Sequence, residues 1–230
     1  MLRGLFASVI RPPYVWLRDG TTNLLFERRL GVRTSGTIGL EELGISAEDR
    51  QEYKPIGWFT LRRILPPNTV TANDVFLDVG CGMGRAVLMA AAEYPFRRVI
   101  GVELSTRLVK IAQHNLDCCR AQLWCKDVVV VNADAVNYEI PDDATIVFMY
   151  NPVRGATFAA VVQNLLDSYD RSPRMLRIIY ANPTEEAILL STGRVRTIRR
   201  LRGFRPGREW SRSNSCRMYV VQPAAHAAGA

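Results

Sequence analysis

Residues 75–84 read Val-Phe-Leu-Asp-Val-Gly-Cys-Gly-Met-Gly, and no other stretch limits the possible folds as strongly. An apolar run that ends in glycines at alternate positions predicts a buried strand, a tight turn, and a helix starting near Arg85. Gly80, Gly82 and Gly84 let the backbone turn and approach a ligand without Cβ clashes, while the helix aims its free N–H groups at the same point. A strand, glycine turn and helix in that order predict an α/β fold with a nucleotide-type ligand at the strand's carboxyl end.

The spacing selects among ligands. A dinucleotide fingerprint needs Gly-x-Gly-x-x-Gly, and its third glycine would fall on Arg85, which disfavours NAD and FAD. Asp78, two positions before the first glycine, suits no pyrophosphate, but it suits a ligand with an ammonium and a sulfonium group, which is S-adenosylmethionine.

The following strands end in polar residues too. Arg98 to Glu103 predicts a second buried strand whose terminal carboxylate can accept hydrogen bonds from ribose hydroxyls. Val128 to Val131 leads into Asn132-Ala133-Asp134-Ala135, where Asp134 could accept from the adenine amine. Thr145 to Met149 leads into Tyr150-Asn151-Pro152-Val153 at the mouth of the sheet. Helical spacing over 156–169, a strand over 175–180, a helix from Thr184, and a hairpin of 194–201 with 216–221, connected by 203–215, complete the pattern. The expectation is a Rossmann-like, seven-stranded, mostly parallel sheet flanked by helices, with a C-terminal antiparallel hairpin and a small N-terminal helical cap.

Asp78-Val79-Gly80-Cys81-Gly82-Met83-Gly84, Gly101-Val102-Glu103, Asn132-Ala133-Asp134 and Tyr150-Asn151-Pro152 together resemble the class I S-adenosylmethionine-dependent methyltransferases over roughly residues 53–222. With Tyr53-Lys54-Pro55 and residues 95–103, they look most like a bacterial group of stand-alone methyltransferases distantly similar to the class I, non-SET histone-lysine methyltransferases. The resemblance implies that Asp78, Gly80, Cys81 and Gly82 hold the methionine end of the cofactor, that Glu103 with Leu104 holds the ribose, and that Asp134 with Ala135 holds the adenine. It also implies that Tyr53 and Asn151 contribute to the pocket, with S-adenosylhomocysteine as product.

Three parts are expected: a helical or irregular cap over 1–52, a methyltransferase domain over 53–222 and a disordered tail over 223–230. Residues 21–30 read as a short amphipathic helix, and Trp58 to Leu65 as a helix stopped by Pro66-Pro67. The cap is expected to pack on the helices of the sheet. Cys81, Cys118, Cys119, Cys125 and Cys216 make no C-x-x-C pair and only His114 and His226 accompany them, so reduced thiols and no metal are expected. The apolar run Gly4 to Ile10 is too short for a signal peptide or a span, so a cytoplasmic location and no membrane span are expected.

The net charge of +8 comes almost wholly from arginine, since only Lys54, Lys110 and Lys126 are lysines. The densest cluster, between Arg194 and Arg212, interleaves with apolar residues as a strand with a solvated face would. The basic surface favours an acidic acceptor: RNA, an acidic protein or an anionic small molecule.

Chemistry is expected from alignment by Tyr150 and Asn151 without an assigned general base, Glu185 and Glu186 being weak candidates. Asn151-Pro152 carries half of the Asp/Asn-Pro-Pro-aromatic motif of amino-group methyltransferases; Val153 replaces its second proline and no aromatic follows. Asn182-Pro183 repeats the pattern after the next strand and is read as a turn. The acceptor is unidentified, with a protein nitrogen preferred. A small molecule, an RNA, or a non-catalytic S-adenosylmethionine-binding regulator are the alternatives.

Overall fold

The computed structural model describes residues 20–21, 24–45, 49–201 and 215–224. The expectations for residues 4–10, for most of the 203–215 connection and for most of the tail lie outside those residues.

Seven strands form one sheet: β1 (Val75–Val79), β2 (Arg98–Glu103), β3 (Val128–Asn132), β4 (Ile146–Tyr150), β5 (Arg177–Ala181), β6 (Val195–Leu201) and β7 (Cys216–Val221). Their order is β3-β2-β1-β4-β5-β7-β6. The first five are parallel, while β7 runs antiparallel between β5 and β6. This is the expected mostly parallel sheet with an antiparallel hairpin at one end. Strand order reverses between β1 and β4, and a crevice opens at such a switch point because successive connections leave in opposite directions.

Helices cover both faces, which is why β1 is buried along its whole length and reads as continuous apolar sequence. Residues 24–30 are helical (α1), followed by α2 (Thr60–Ile64), α3 (Arg85–Glu93), α4 (Thr106–Cys119), α5 (Gly155–Arg171) and α6 (Glu186–Ser191). α2, α3 and α4 pack on one face through Leu61, Ile64, Val87, Val109 and Leu116. α5 and α6 pack on the other through Phe158, Val161, Leu165 and Leu189, each such side chain contributing roughly 1.5–3 kcal/mol by leaving water. Ser105 caps α4 by accepting from the Leu108 N–H at 3.4 Å.

The N-terminal segment is tied to α3 by one buried side chain. Arg85, 6% exposed, donates to Thr34 Oγ1 at 2.7 Å and to the Ile56 carbonyl at 2.8 Å. It also donates to Ser35 Oγ at 3.0 Å and to Glu27 Oε1 at 3.1 Å, and its guanidinium lies 4.9 Å from the centre of the Trp58 ring. Burial pushes the Glu27 carboxyl up, but bonds from Ser35 and Thr34 together with the Arg85 charge outweigh it and hold it below its ordinary value.

Candidate active site

The carboxyl ends of β1, β2, β4 and β5 border a cavity of about 300 Å³. The turn after β1 forms its floor. Gly80 and Gly82 sit at φ 76° and 57°, and both are also sterically forced: a Cβ on Gly80 would lie 2.7 Å from Pro152, and one on Gly82 would lie 2.3 Å from the Tyr53 ring. The Gly80 and Cys81 N–H groups donate to the Val102 carbonyl at 2.9 and 3.0 Å, which locks the turn to β2.

Two acids face this turn. Asp78 is 2% exposed and Glu103 is 8% exposed. Glu103 accepts from the Gly82 N–H at 2.9 Å through one oxygen and from the Ser105 N–H at 2.8 Å through the other. Burial, then the neighbouring Glu103 charge, raises the Asp78 carboxyl well above its ordinary range. Burial also raises Glu103, against the opposing bonds from Ser105 and Gly82. No Arg or Lys among the described residues pairs with Asp78. A buried carboxylate without a cation is costly, so the site is electrostatically incomplete and suits a cationic ligand.

The sign of the pH effect follows. Because the folded-state values of Asp78 and Glu103 are raised, these two sites bind more protons in the folded than in the unfolded chain, and their contribution to stability falls as pH rises above about 4. Asp78→Asn is therefore expected to raise the melting temperature of the ligand-free protein at about pH 8, with the gain fading towards about pH 4. Each kcal/mol gained corresponds to roughly 2–4 °C in a chain of this size. Thermal scans of both proteins at both pH values check this, and an Asp78→Asn variant that melts below wild type at about pH 8 would refute the assignment.

Residues 49–54 cross the mouth of the cavity. Arg50 pairs with Val153 in an isolated bridge and grips Asp134 with two guanidinium bonds of 3.1 and 2.7 Å. Burial alone would raise Asp134, but the Arg50 bonds hold it below its usual range. The Tyr53 hydroxyl donates to the Thr34 carbonyl at 2.6 Å, and its ring lies over Gly82. The same N-terminal segment thus packs on α3 through residues 27–35 and lines the cavity through Leu43, Ile45 and 50–54.

Asn151 closes the far wall. It sits at φ 46° and is 7% exposed, held at the end of β4 in the left-handed region that non-glycine residues seldom occupy. Its Oδ1 accepts from the Thr184 hydroxyl and, at 3.4 Å, from the Tyr180 hydroxyl. Tyr180 in turn accepts from the Glu185 N–H at 3.2 Å. Asn182, at φ 49°, occupies the equivalent place after β5 and also lines the cavity.

Of the residues singled out from the sequence, Tyr53, Asp78, Gly80, Cys81, Gly82, Glu103, Leu104, Ala135, Tyr150 and Asn151 all border this one space. Asp134 does not: its flanking Ala133 and Ala135 line the cavity while its carboxylate is held by Arg50. Glu185 and Glu186 stand outside it as well, and Glu186 is engaged by Arg217 and, at 2.6 Å, by the Tyr219 hydroxyl. Arg50 and Thr184 carried no local signal, whereas Asn182 was visible as a repeat of Asn-Pro in the same register.

Residues 76–168 match the family described as Methyltransferase domain. This span runs from β1 through most of α5 and contains the glycine turn, both buried acids and Asn151. That match takes in 93 of the chain's 230 residues. A protein-lysine N-methyltransferase from Saccharolobus islandicus is 31% identical to this chain over 65 residues, which is 28% of this chain and 40% of that protein. The chain's match thus spans well under half the length of that curated relative. Among solved structures, the chain superposes on an RNA methyltransferase from Salinibacter ruber in complex with S-adenosyl-L-homocysteine. That pair shares 19% identity with a TM-score of 0.52, over 74% of this chain and 95% of the other. It also superposes on a putative S-adenosylmethionine-dependent methyltransferase from Listeria monocytogenes at 14% identity and a TM-score of 0.51, over 72% and 98%. At such identities the structural likeness speaks for the fold. No helix of the described residues is long and apolar enough to cross a membrane.

Proposed function

We propose that the chain transfers a methyl group from S-adenosylmethionine to a nitrogen of a protein. The observation that carries the cofactor reading is Asp78, buried beside Glu103 at a glycine turn with no cation paired to it among the described residues. Those two acids suit a ligand that brings an ammonium, a sulfonium and a ribose diol. Asp78, Gly80, Cys81 and Gly82 would hold the methionine end, Glu103 and Leu104 the ribose, and Ala135 the adenine, with Asp134 acting beside it through its pairing to Arg50. When bound, S-adenosylmethionine supplies an electrophilic methyl carbon and a neutral leaving group, S-adenosylhomocysteine.

What remains for the protein is alignment and the exclusion of water, and alignment alone is worth roughly 7–11 kcal/mol. Residues 50–54 line the cavity, as do Tyr150 and Asn151, which would face the acceptor. Because Thr184 and Tyr180 occupy the Asn151 oxygen, Asn151 orients the wall of the acceptor site and does not itself take a proton. The protein-lysine relative supports a protein nitrogen as acceptor.

Calorimetric titration with S-adenosylmethionine tests the cofactor reading, and absence of uptake removes it. Asn151→Ala is expected to lower methyl incorporation from labelled S-adenosylmethionine into a protein extract by about tenfold while changing cofactor affinity less than about twofold. Full activity in that variant would remove Asn151 from the acceptor wall. Label appearing in RNA or metabolite fractions, and not in protein, would overturn the acceptor class.

A further inference from the structure

Several exposed arginines have an acid beside them: Arg97, Arg107, Arg120 and Arg171 each reach one within 4.0 Å. The edge strand β6 brings together three that do not. Arg196, Arg199 and Arg200 are exposed, and none of them makes a hydrogen bond or ion pair with a described residue. A register shift between Thr197 and Arg199 leaves Ile198 protruding between them, 43% exposed. Arg196 and Arg199 lie opposite Val220 and Met218 of β7, and Met218 belongs to the core under α2. On α2, which packs against β6 and β7, Arg62 and Arg63 are exposed, as is the preceding Phe59 at 53%.

This basic surface adjoins the cavity from two directions. Leu201, at the end of β6, pairs with Cys216, which pairs with Ala181, and the next residue, Asn182, lines the cavity. The other arm, Phe59 and α2, follows directly on the lining residues Tyr53 to Ile56. Two strand spacings of about 4.8 Å separate β6 from β5, so a chain docked on β6 needs only a few extended residues to reach the mouth.

We propose that this face docks an acidic segment of the protein acceptor and delivers its target side chain to the cavity. The inference rests on the methyl-transfer reading above for the target, but not for the docking itself. Arginine beside exposed apolar groups is the composition of protein interfaces, whereas a nucleic-acid strand would call for a run of stacking aromatics, and among the described residues of this face Phe59 is the one exposed aromatic. Charges on an edge strand also discourage edge-to-edge pairing, but that purpose does not require arginines on a second element, α2.

The test uses the whole chain and a fluorescein-labelled oligoglutamate peptide of about a dozen residues, read by anisotropy. Binding is expected to weaken about tenfold in R196Q/R199Q/R200Q, as the loss of three modest charge contacts would give, and to weaken between about 50 and 300 mM salt. Affinity for S-adenosylhomocysteine should stay unchanged. Equal peptide binding by the triple variant, no peptide binding at all, or tighter binding of an RNA of matched length would overturn the proposal. Failure of S-adenosylhomocysteine to bind the same preparation would instead sink the methyl-transfer reading and leave the docking result standing.

Discussion

Replacing Glu103 with alanine is expected to weaken S-adenosylmethionine binding more than tenfold. A carboxylate that meets two ribose hydroxyls makes charge-assisted bonds, about twice as strong as neutral ones, and tenfold corresponds to about 1.4 kcal/mol. The structure adds a second reason. Glu103 also accepts from the N–H groups of Gly82 and Ser105, so its removal loosens the glycine turn and the start of α4 at once. Glu103→Gln separates the contributions: its amide can keep one of these bonds but lacks the charge, so its affinity is expected to fall between wild type and alanine. A calorimetric dissociation constant unchanged in Glu103→Ala would show that the ribose does not lie there.

Arg85→Ala is expected to cost about 3–5 kcal/mol of folding stability, the range for removing one partner of a buried ion pair. That is roughly 6–20 °C in melting temperature. The loss strands Glu27, whose side chain is 15% exposed, and leaves the Ile56 carbonyl without its guanidinium donor. Because Glu27 is held below its ordinary value, its stabilising contribution is present at neutral pH and disappears as pH falls through the lowered folded-state value. The penalty of the substitution should shrink accordingly in acid. Arg85→Lys keeps the charge but cannot reach Thr34, Ile56 and Glu27 together, so an intermediate loss is expected. A melting temperature unchanged in Arg85→Ala would show that the N-terminal segment is not anchored through this residue.

The two residues illustrate different degrees of legibility. Glu103 was readable because a strand declares its period and its end, and an acid at the end of the second strand has one obvious direction to face. Arg85 was readable only as the residue that breaks a dinucleotide fingerprint. Its partners lie 51 and 58 positions away, and no pattern in the chain announces such a pairing. The same holds for Arg50 and Asp134, 84 positions apart. Asp134 was correctly placed at the end of β3, but the strap that carries Arg50 has no period, so the capture of its carboxylate could not be foreseen.

The succession of strands along the chain, the antiparallel hairpin and the strand ends that border the cavity were readable in the sequence alone, because apolar periodicity, glycine spacing and terminal acids are local properties that the backbone must obey wherever it goes; the lateral order of the strands was not. What only the tertiary structure decided is which polar groups are already satisfied. Thr184 and Tyr180 hold the Asn151 oxygen, Arg50 holds Asp134, and Arg196, Arg199 and Arg200 have no acid beside them among the described residues. Each is a pairing between distant segments, set by how the helices and the crossing strap settle on the sheet, and a hydrogen bond or a bare charge exists only once both neighbours are in place.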